Sequence, residues 1–215
     1  MLLDTYQQAA FDLLYKARTT QREKVIAVGT FMADAIEKGA KVYLGGICHS
    51  IESDLLNRGG GPAFYLKYEQ GKSELKPGDI LVLSSVSGRT KSVVDLAWDS
   101  MQKGIHVIAF TSMSYAQAVD PVHESGKKLY EFVTFYVDNC APAAEAMLEV
   151  EGLEPRFAAA SGIASDFLMW SITSVCVEKM IADGFVPSIY KSANFPGGHE
   201  YNVANVMDRY KEIGY

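Results

Sequence analysis

The sequence predicts an α/β fold, a three-layer αβα sandwich in which five strands form one parallel sheet. Short apolar runs alternate with stretches in which apolar residues recur at helical spacing. One run, IHVIAFTS, is almost entirely apolar, as expected for a strand that is covered by helices on both faces. Strands that alternate with helices pair in parallel, so the pattern favours one sheet with helices on both sides.

Two helices are expected before the first strand. Apolar residues recur at helical spacing from Asp4 to Ala17, and the pattern resumes from Thr20 to Glu37. Gly39 follows the second stretch at the place of a C-terminal cap. The predicted αβα core therefore begins at about residue 40.

Five segments carry the pattern of buried strands, and most are bounded by glycine, proline or polar residues. They are KVYLGG, PAFYL, the run from Ile80 to Ser84, IHVIAFTS and FVTFYVDN.

Helices are expected between and after these strands. SIESDLLNRGGG favours a helix that three glycines close, and the segment after the third strand favours a helix that ends at Gly104. The stretch from Met113 to Lys128 is polar and irregular, whereas Ser161 to Asp183 has the spacing of a long helix. The tail is expected to be a loop followed by a short helix.

Composition limits the class of protein. The chain has 215 residues, of which 48% are hydrophobic, enough to bury the core of one compact unit. Its formal net charge is −6 and its basic residues are scattered. A protein without a global positive field does not attract polyanions, so we expect no nucleic-acid partner.

The same features indicate a soluble, cytoplasmic protein. The start, MLLDTYQQAA, lacks the basic region and the long apolar region of a secretory signal. No stretch has the roughly 18 uninterrupted apolar residues of a membrane span, so we expect no membrane partner. Cys48, Cys140 and Cys176 are few and form no CxxC pattern, as is typical of a reducing compartment.

A hydroxyl-rich turn between the third strand and the next helix points to chemistry. Ser85, Ser87, Gly88 and Thr90 lie at this junction. In open parallel sheets, ligands bind outside the carboxyl ends of the strands. A phosphate accepts hydrogen bonds from hydroxyls and from the amides of a helix N-terminus, and glycine lets the backbone approach closely. Serine and threonine also cap ordinary helices, so a simple helix cap is the alternative.

These residues resemble a known family. Residues 85–90, SVSGRT, match the S-x-S-G-x-T signature of the sugar isomerase (SIS) domain, and GGICHS is similar to the first phosphate-side loop of that family. The resemblance covers nearly the whole chain and is closest to single-domain members labelled phosphoheptose isomerase or phosphosugar-binding protein. It implies one flavodoxin-like SIS domain over residues 1–215, with N-terminal helices in 1–39, the αβα core in 40–190 and a C-terminal loop and helix in 191–215.

The resemblance also implies a phosphorylated sugar as ligand and a homodimer or homotetramer as the assembly. The exposed apolar faces of the first helices and of the helix from Ser161 to Asp183 would serve the interface. The implied phosphate contacts are Ser50, Ser85, Ser87, Gly88 and Thr90. The rest of the pocket is assigned to His49, Arg89 and Ser161.

Isomerisation of a sugar phosphate needs a group that removes a proton next to the carbonyl and returns it to the neighbouring carbon. A carboxylate or a histidine is the usual agent. Both carboxylates on the helix after the first loop also suit a solvated first turn, and the histidine of the glycine-rich tail also suits a solvated loop. The candidates are Glu52, Asp54, Glu145 and His199.

No metal or cofactor is expected, because no ligand spacing is recognisable, and His106 and His123 are interpreted as structural. The leading hypothesis is an aldose–ketose isomerase of sugar phosphates. A phosphosugar sensor without catalysis and a sugar-phosphate lyase remain as alternatives.

Overall fold

Five parallel strands form the centre of the structure, a computed structural model that describes residues 1–45 and 51–215. The strands are β1 (Val42–Gly45), β2 (Tyr65–Tyr68), β3 (Ile80–Ser84), β4 (His106–Thr111) and β5 (Phe135–Asp138). Their order across the sheet is β2-β1-β3-β4-β5. The chain moves outward from β1 to β2 and then returns to place β3 on the other side of β1. The order therefore reverses between β1 and β3, where ligands bind in folds of this kind.

Helices surround this sheet. They are α1 (Leu2–Thr20), α2 (Arg22–Glu37), α3 (Ile51–Leu55), α4 (Lys91–Gln102), α5 (Met113–Gln117), α6 (Ser161–Ala182), α7 (Gly198–Asn202) and α8 (Asp208–Ile213). A 3₁₀ turn covers Leu129–Glu131, and a π-helical turn, Val203–Met207, joins α7 to α8.

Alternation along the strands builds two apolar layers. Leu44 and Val82 belong to the cluster that contains the buried faces of α1, α2 and α6. Tyr43 and Leu83 point to the opposite face, where the cluster includes the buried side of α4. Since successive side chains of a strand alternate between faces, each strand contributes to both layers. The predicted three-layer αβα arrangement with a five-stranded parallel sheet is confirmed.

The structure differs from the prediction in four places. Within the part of the chain that is described, α3 spans only five residues, whereas the sequence predicted a helix up to the three glycines. The stretch predicted as irregular contains α5, because the Ser112 hydroxyl accepts a hydrogen bond from the Tyr115 amide and caps this helix. A small antiparallel sheet of β6 (Ala146–Leu148) and β7 (Phe157–Ala159) was not predicted. The tail is helical from Gly198 onward, so its glycine-rich segment is partly helix.

Within residues 1–45 and 51–215, no helix combines the length and the apolar character that a bilayer crossing requires.

Candidate functional site

The turn after β3 brings two hydroxyl groups into contact. The Ser85 Oγ lies 2.9 Å from the Thr90 Oγ1. The Thr90 amide donates a second hydrogen bond, 3.2 Å long, to the same Ser85 oxygen. Thr90 is the N-cap residue of α4, yet its side chain makes no capping hydrogen bond to that helix. The hydroxyls of Ser85 and Thr90 therefore bond to each other, and the Thr90 side chain does not cap α4.

Gly88 shapes the turn by its conformation and its lack of a side chain. Its φ is +67°, and a Cβ at this position would lie 3.2 Å from the Thr111 Oγ1. Its amide donates to the Ser85 carbonyl oxygen and its carbonyl oxygen accepts from the Leu129 amide, each at 2.8 Å. A left-handed backbone conformation and tight packing both favour glycine here.

Ser87 and Arg89 are half-buried in the same turn. The Ser87 Oγ accepts a long hydrogen bond of 3.5 Å from the Arg89 amide. Directly after them, Thr90 is exposed and α4 begins at Lys91. The first amides of a helix have no partner inside it, so the positive end of α4 lies beside these hydroxyls.

The end of β1 faces this turn across the point of strand reversal. A Cβ on Gly45 would lie 2.6 Å from the Leu83 Cδ2 and 3.1 Å from the Val82 carbonyl oxygen, so only glycine fits there. The predicted contacts His49 and Ser50 come after β1 in the sequence and lie outside the described residues. The structure therefore gives this site one of its two predicted loops.

A chain of hydrogen bonds connects the turn to the segment after β5. The Ser112 amide donates to the Val86 carbonyl oxygen at 2.9 Å. The Ser112 hydroxyl donates to the Ala141 carbonyl oxygen at 2.6 Å. Ser112 is fully buried, and it follows directly after β4. The carboxyl ends of β3, β4 and β5 are thus held together by the backbone amide and the hydroxyl of one residue, which was not singled out from the sequence.

Asn139 is the second residue that the sequence analysis missed. It is fully buried directly after β5, and its Nδ2 donates to the Ser165 Oγ of α6 at 3.3 Å. Its Oδ1 accepts a 3.2 Å hydrogen bond from the Ala141 amide. A buried asparagine at a strand end is a usable signal for such a link, because a buried amide needs partners. Asn139 fastens the loop after β5 to the beginning of α6.

Glu145 and Ser161, which the sequence analysis named separately, are in direct contact. The Ser161 hydroxyl donates a hydrogen bond to the Glu145 carboxylate, and the Ala160 amide donates to the Glu145 carbonyl oxygen at 3.1 Å. Ser161 is buried and is the first residue of α6. The carboxylate therefore lies at the positive end of a 22-residue helix.

The backbone around Glu145 is strained. Glu145 has a φ of +74°, its neighbour Ala144 has a φ of +61°, and Cys140 has a φ of +60°. Residues other than glycine in this region cost about 1–3 kcal/mol each and occur most often at functional sites. The surrounding hydrogen bonds hold this segment in its unfavourable conformation.

The two carboxylates of α3 are both paired. Asp54 accepts a 2.6 Å hydrogen bond from the Trp170 indole nitrogen and forms an ion pair with Arg58. The Glu52 carboxylate lies 3.2 Å from the Lys67 ammonium of β2, and its side chain is 20% exposed. The contacts of Asp54 are those of a structural residue that fixes α3 to α6, whereas Glu52 keeps an accessible edge.

His199 lies in the first turn of α7, where the sequence analysis expected a glycine-rich loop. The residue is exposed. The tail is closed by Asn202, whose side chain bonds both the amide and the carbonyl oxygen of Lys191 at 2.8 Å. Tyr190 in turn exchanges backbone hydrogen bonds with the Gly60–Gly61 segment. Within residues 1–45 and 51–215, no hydrogen bond or ion pair joins His199 to Glu145 or to the turn after β3.

One acidic cluster lies elsewhere, at the C-terminal ends of α2 and α6. Carboxylate oxygens of Asp34, Glu37 and Asp183 come within 4.8 Å of one another. The Lys179 ammonium pairs with Asp34 at 2.9 Å and with Asp183. One lysine therefore pairs with two of the three carboxylates, and Glu37 remains beside them as a third acidic group.

The buried thiols are not nucleophiles. Burial raises the pKa of Cys176 to about 12, and burial also raises the pKa of Cys140. Both cysteines are free. A protonated thiol is a poor nucleophile and a poor metal ligand, so these side chains serve packing.

Comparisons with known proteins agree with this architecture. A family model of the SIS domain matches residues 63–112, which include β2, β3, α4 and β4. The UPF0309 protein of Shouchella clausii is 31% identical, over 97% of this chain and 96% of the relative. A UPF0309 protein of Listeria monocytogenes is also 31% identical, over 97% of both chains.

Two solved structures share the fold. The NanR protein of Vibrio vulnificus, solved in complex with ManNAc-6P, superposes with a TM-score of 0.58 at 18% identity. The match covers 86% of this chain and spans only 66% of the NanR chain. Phosphoheptose isomerase GmhA from Neisseria gonorrhoeae gives a TM-score of 0.51 at 13% identity, over 84% of this chain and 97% of GmhA. Because the identity of 31% extends over nearly the whole of both chains, and because residues 63–112 match the SIS model, the chain belongs to the UPF0309 family and carries a SIS domain.

Proposed function

We propose that this protein binds a phosphorylated sugar at the carboxyl edge of the sheet and interconverts its aldose and ketose forms. The observation that carries the proposal is the contact between Ser85 and Thr90. These hydroxyls lie at the strand-order reversal, and Thr90 leaves the amides of α4 without a side-chain cap. An uncapped helix end beside paired hydroxyls suits a small dianion.

The hydrogen-bond directions explain how the turn would hold a phosphate. The Ser85 oxygen already accepts from the Thr90 amide, so the Ser85 hydroxyl is free to donate to the Thr90 oxygen. The Thr90 hydroxyl then directs its own proton to the ligand. Ser87 adds a second hydroxyl, Gly88 supplies the left-handed backbone conformation that the turn requires, and the first amides of α4 add the helix dipole.

Three further contacts complete the proposed pocket. Ser50 and His49 would approach the phosphate and sugar from the loop after β1, and Arg89 would add a positive charge from the turn after β3. These assignments come from the SIS signature and from the position of the two loops at neighbouring strands.

We assign the proton transfer to Glu145. As a base, its carboxylate would remove the proton from the carbon next to the carbonyl, leaving an enediolate. The proton of the adjacent hydroxyl would move to the former carbonyl oxygen, and the carboxylic acid would deliver a proton, which it can first exchange with solvent, to the neighbouring carbon. The Ser161 hydroxyl positions the carboxylate, and the strained backbone fixes its direction. Glu52 is the second candidate for moving a proton, since it keeps an accessible edge. His199 would act only if the tail or a second copy brings it to the site.

The similar structures support the ligand class. One protein of this fold was solved with ManNAc-6P and another is named a phosphoheptose isomerase. A non-catalytic phosphosugar sensor is the second candidate function, and the pairing of both α3 carboxylates favours it, because it reduces the carboxylates available for catalysis.

We also propose that residues 1–215 form one domain and that the protein is a homodimer or a homotetramer. Phe11 and Tyr15 of α1 are each 67% exposed, and Ile26 of α2 and Ile163 of α6 are 42% and 38% exposed. A groove of about 390 Å³ lies between these three helices. Apolar patches of this kind mark interaction sites, and a second copy would cover this one. Light scattering on the wild type and on Ile26→Glu tests the assembly, and a wild-type monomer at micromolar concentration contradicts it.

Thermal shift and NMR test the function. Sugar phosphates should raise the melting temperature, whereas the matching free sugars should not. Ser85→Ala with Thr90→Val should abolish that shift, while Thr134→Val, on a threonine outside the turn, should not. Incubation in D₂O with the tightest binder should place deuterium at C1 or C2. Binding without exchange supports the sensor, release of a side group supports the lyase, and absence of phosphate-dependent binding refutes the whole proposal.

A further inference from the structure

A serine, a histidine and an aspartate form a hydrogen-bonded series away from the turn after β3. The Ser125 Oγ lies 2.6 Å from the His123 Nδ1, and the His123 Nε2 lies 3.3 Å from the Asp95 Oδ1. Ser125 is exposed, whereas the His123 side chain is only 6% exposed. The series therefore runs from a solvent-facing hydroxyl through a buried ring to a carboxylate.

The backbone fixes the tautomer of the histidine. The Ser125 amide donates to the His123 Nδ1 at 3.2 Å, so this nitrogen is an acceptor. In a neutral ring the proton then sits on Nε2 and points to Asp95. The Ser125 hydroxyl donates to Nδ1 at 2.6 Å, and the Ser125 amide shares the same lone pair at the longer distance of 3.2 Å. Nucleophile, general base and orienting carboxylate are arranged in this way in serine hydrolases. There the serine faces Nε2 and the carboxylate faces Nδ1, whereas here the serine faces Nδ1 and the carboxylate faces Nε2.

Packing holds the ring in place. The Trp98 ring lies 5.6 Å from the His123 ring, and Trp98 is itself packed edge-on against Phe132 at 5.1 Å. The Ser125 oxygen accepts one hydrogen bond, 3.2 Å long, from the Lys127 amide. A hydroxyl oxygen has two lone pairs, so one remains for attack on an incoming carbonyl carbon.

Asp95 has a second cationic partner. Its carboxylate also accepts from the Lys91 ammonium at 2.8 and 2.9 Å. Lys91 and His123 therefore share one carboxylate. Activated esters have good leaving groups and need the least activation of the serine, so they are the substrates considered for this site.

We infer that Ser125, His123 and Asp95 form a second site that removes acyl groups from small activated carboxylic esters. The Ser125 Oγ bonds to the ester carbonyl carbon while its proton passes to the His123 Nδ1. The bond from that carbon to the leaving oxygen breaks, and the leaving alkoxide takes the proton from Nδ1. Water then cleaves the acyl-serine in the same way and restores the hydroxyl. The site is independent of the proposed sugar isomerisation.

Covalent labelling tests this inference. The intact protein is treated with p-nitrophenyl acetate and, separately, with a fluorophosphonate, and tandem mass spectrometry locates the adduct. We expect the adduct on Ser125, with an initial rate at least about 100-fold above that of exposed Ser114, since base catalysis typically contributes this much. His123→Gln should remove the excess, while His106→Gln should leave it unchanged. Melting temperatures establish that each variant is folded.

Two further variants separate activation from packing. Asp95 acts as a positioning residue, so Asp95→Asn should slow labelling and Asp95→Glu should recover part of the rate. If His123→Gln unfolds the protein, His123→Ala with added imidazole replaces it, and the free imidazole should restore labelling. The inference is wrong if Ser125 carries no adduct in the wild type, or if the adduct forms equally fast without the imidazole.

Discussion

The Trp170 indole donates a 2.6 Å hydrogen bond to the Asp54 carboxylate across 116 positions of the sequence. This contact joins α3, directly after the loop that follows β1, to the middle of the long helix α6. Arg58 pairs with the same carboxylate and completes its charge balance. Since both contacts engage the Asp54 carboxylate, we expect its removal to affect folding more than chemistry.

Asp54→Asn should lower the free energy of unfolding by about 1–3 kcal/mol. The amide replaces the charged oxygen that accepts from the Trp170 indole, so this hydrogen bond becomes weaker, and Arg58 loses its ion-pair partner. Urea unfolding measures the change. Asp99→Asn, on an exposed residue of α4, is the control and should change stability by less than about 0.5 kcal/mol. If Asp54→Asn were as stable as wild type but lost D₂O exchange, Asp54 would be catalytic after all.

Gly88→Ala should both destabilise the protein and weaken phosphosugar binding. The new Cβ would lie 3.2 Å from the Thr111 Oγ1 and 3.4 Å from the Ala116 Cβ, at a φ of +67°. Gly126→Ala is a matched control, because its φ is +69° and nothing lies within 4 Å of a Cβ there. Placing alanine at a positive φ costs about 1 kcal/mol in both variants. Any additional loss of stability in Gly88→Ala therefore measures the tight packing around the turn. If both variants lost the same stability and sugar-phosphate binding were unchanged, Gly88 would not be part of the binding site.

The five strands could be predicted from sequence because buried parallel strands are continuous apolar runs. The antiparallel pair β6–β7 could not, since its strands, AML and FAA, have three residues each and are too short to show a periodic pattern. The turn after β3 was recognisable as local chemistry in six consecutive residues. The contacts of Asp54 with Trp170 and of Glu145 with Ser161 join distant positions, and nothing in the spacing of the residues indicates such a pairing.

Glu145→Gln should lower the rate of solvent deuterium exchange into the bound sugar phosphate about 100-fold or more, because an amide cannot act as a base. Binding in the thermal-shift assay should persist. Ser161→Ala, which removes the hydrogen bond to the carboxylate, should slow exchange less than Glu145→Gln does. Glu149→Gln is the control, since the Glu149 side chain is 82% exposed and pairs with Arg156. If Glu145→Gln exchanged deuterium at the wild-type rate, Glu145 would not be the base. Glu52 would then be the next candidate, and Glu52→Gln would be the variant to measure.

The acidic cluster on α2 and α6 should make stability depend on pH. Burial, followed by the repulsion of Asp183 and Asp34, raises the pKa of Glu37 above its usual value of 4.5, although Lys179 opposes the shift. The Glu37 Oε1 is also buried without a hydrogen-bond partner. Since the folded protein holds this proton more tightly than the unfolded chain, the stabilisation is fully present below pH 4.5 and is lost as the pH rises through the folded pKa.

Glu37→Gln removes this dependence, because an amide stays neutral and its nitrogen can donate to Asp183. The variant should be more stable than wild type at pH 7, and its advantage should shrink as the pH falls toward the usual value of 4.5. Melting temperatures measured between these two pH values test both statements. Glu23→Gln, on an exposed residue at the other end of α2, should follow the wild-type curve. A Glu37→Gln variant that is less stable than wild type at pH 7 would mean that the carboxylate is needed by Lys179 more than it is disfavoured by burial.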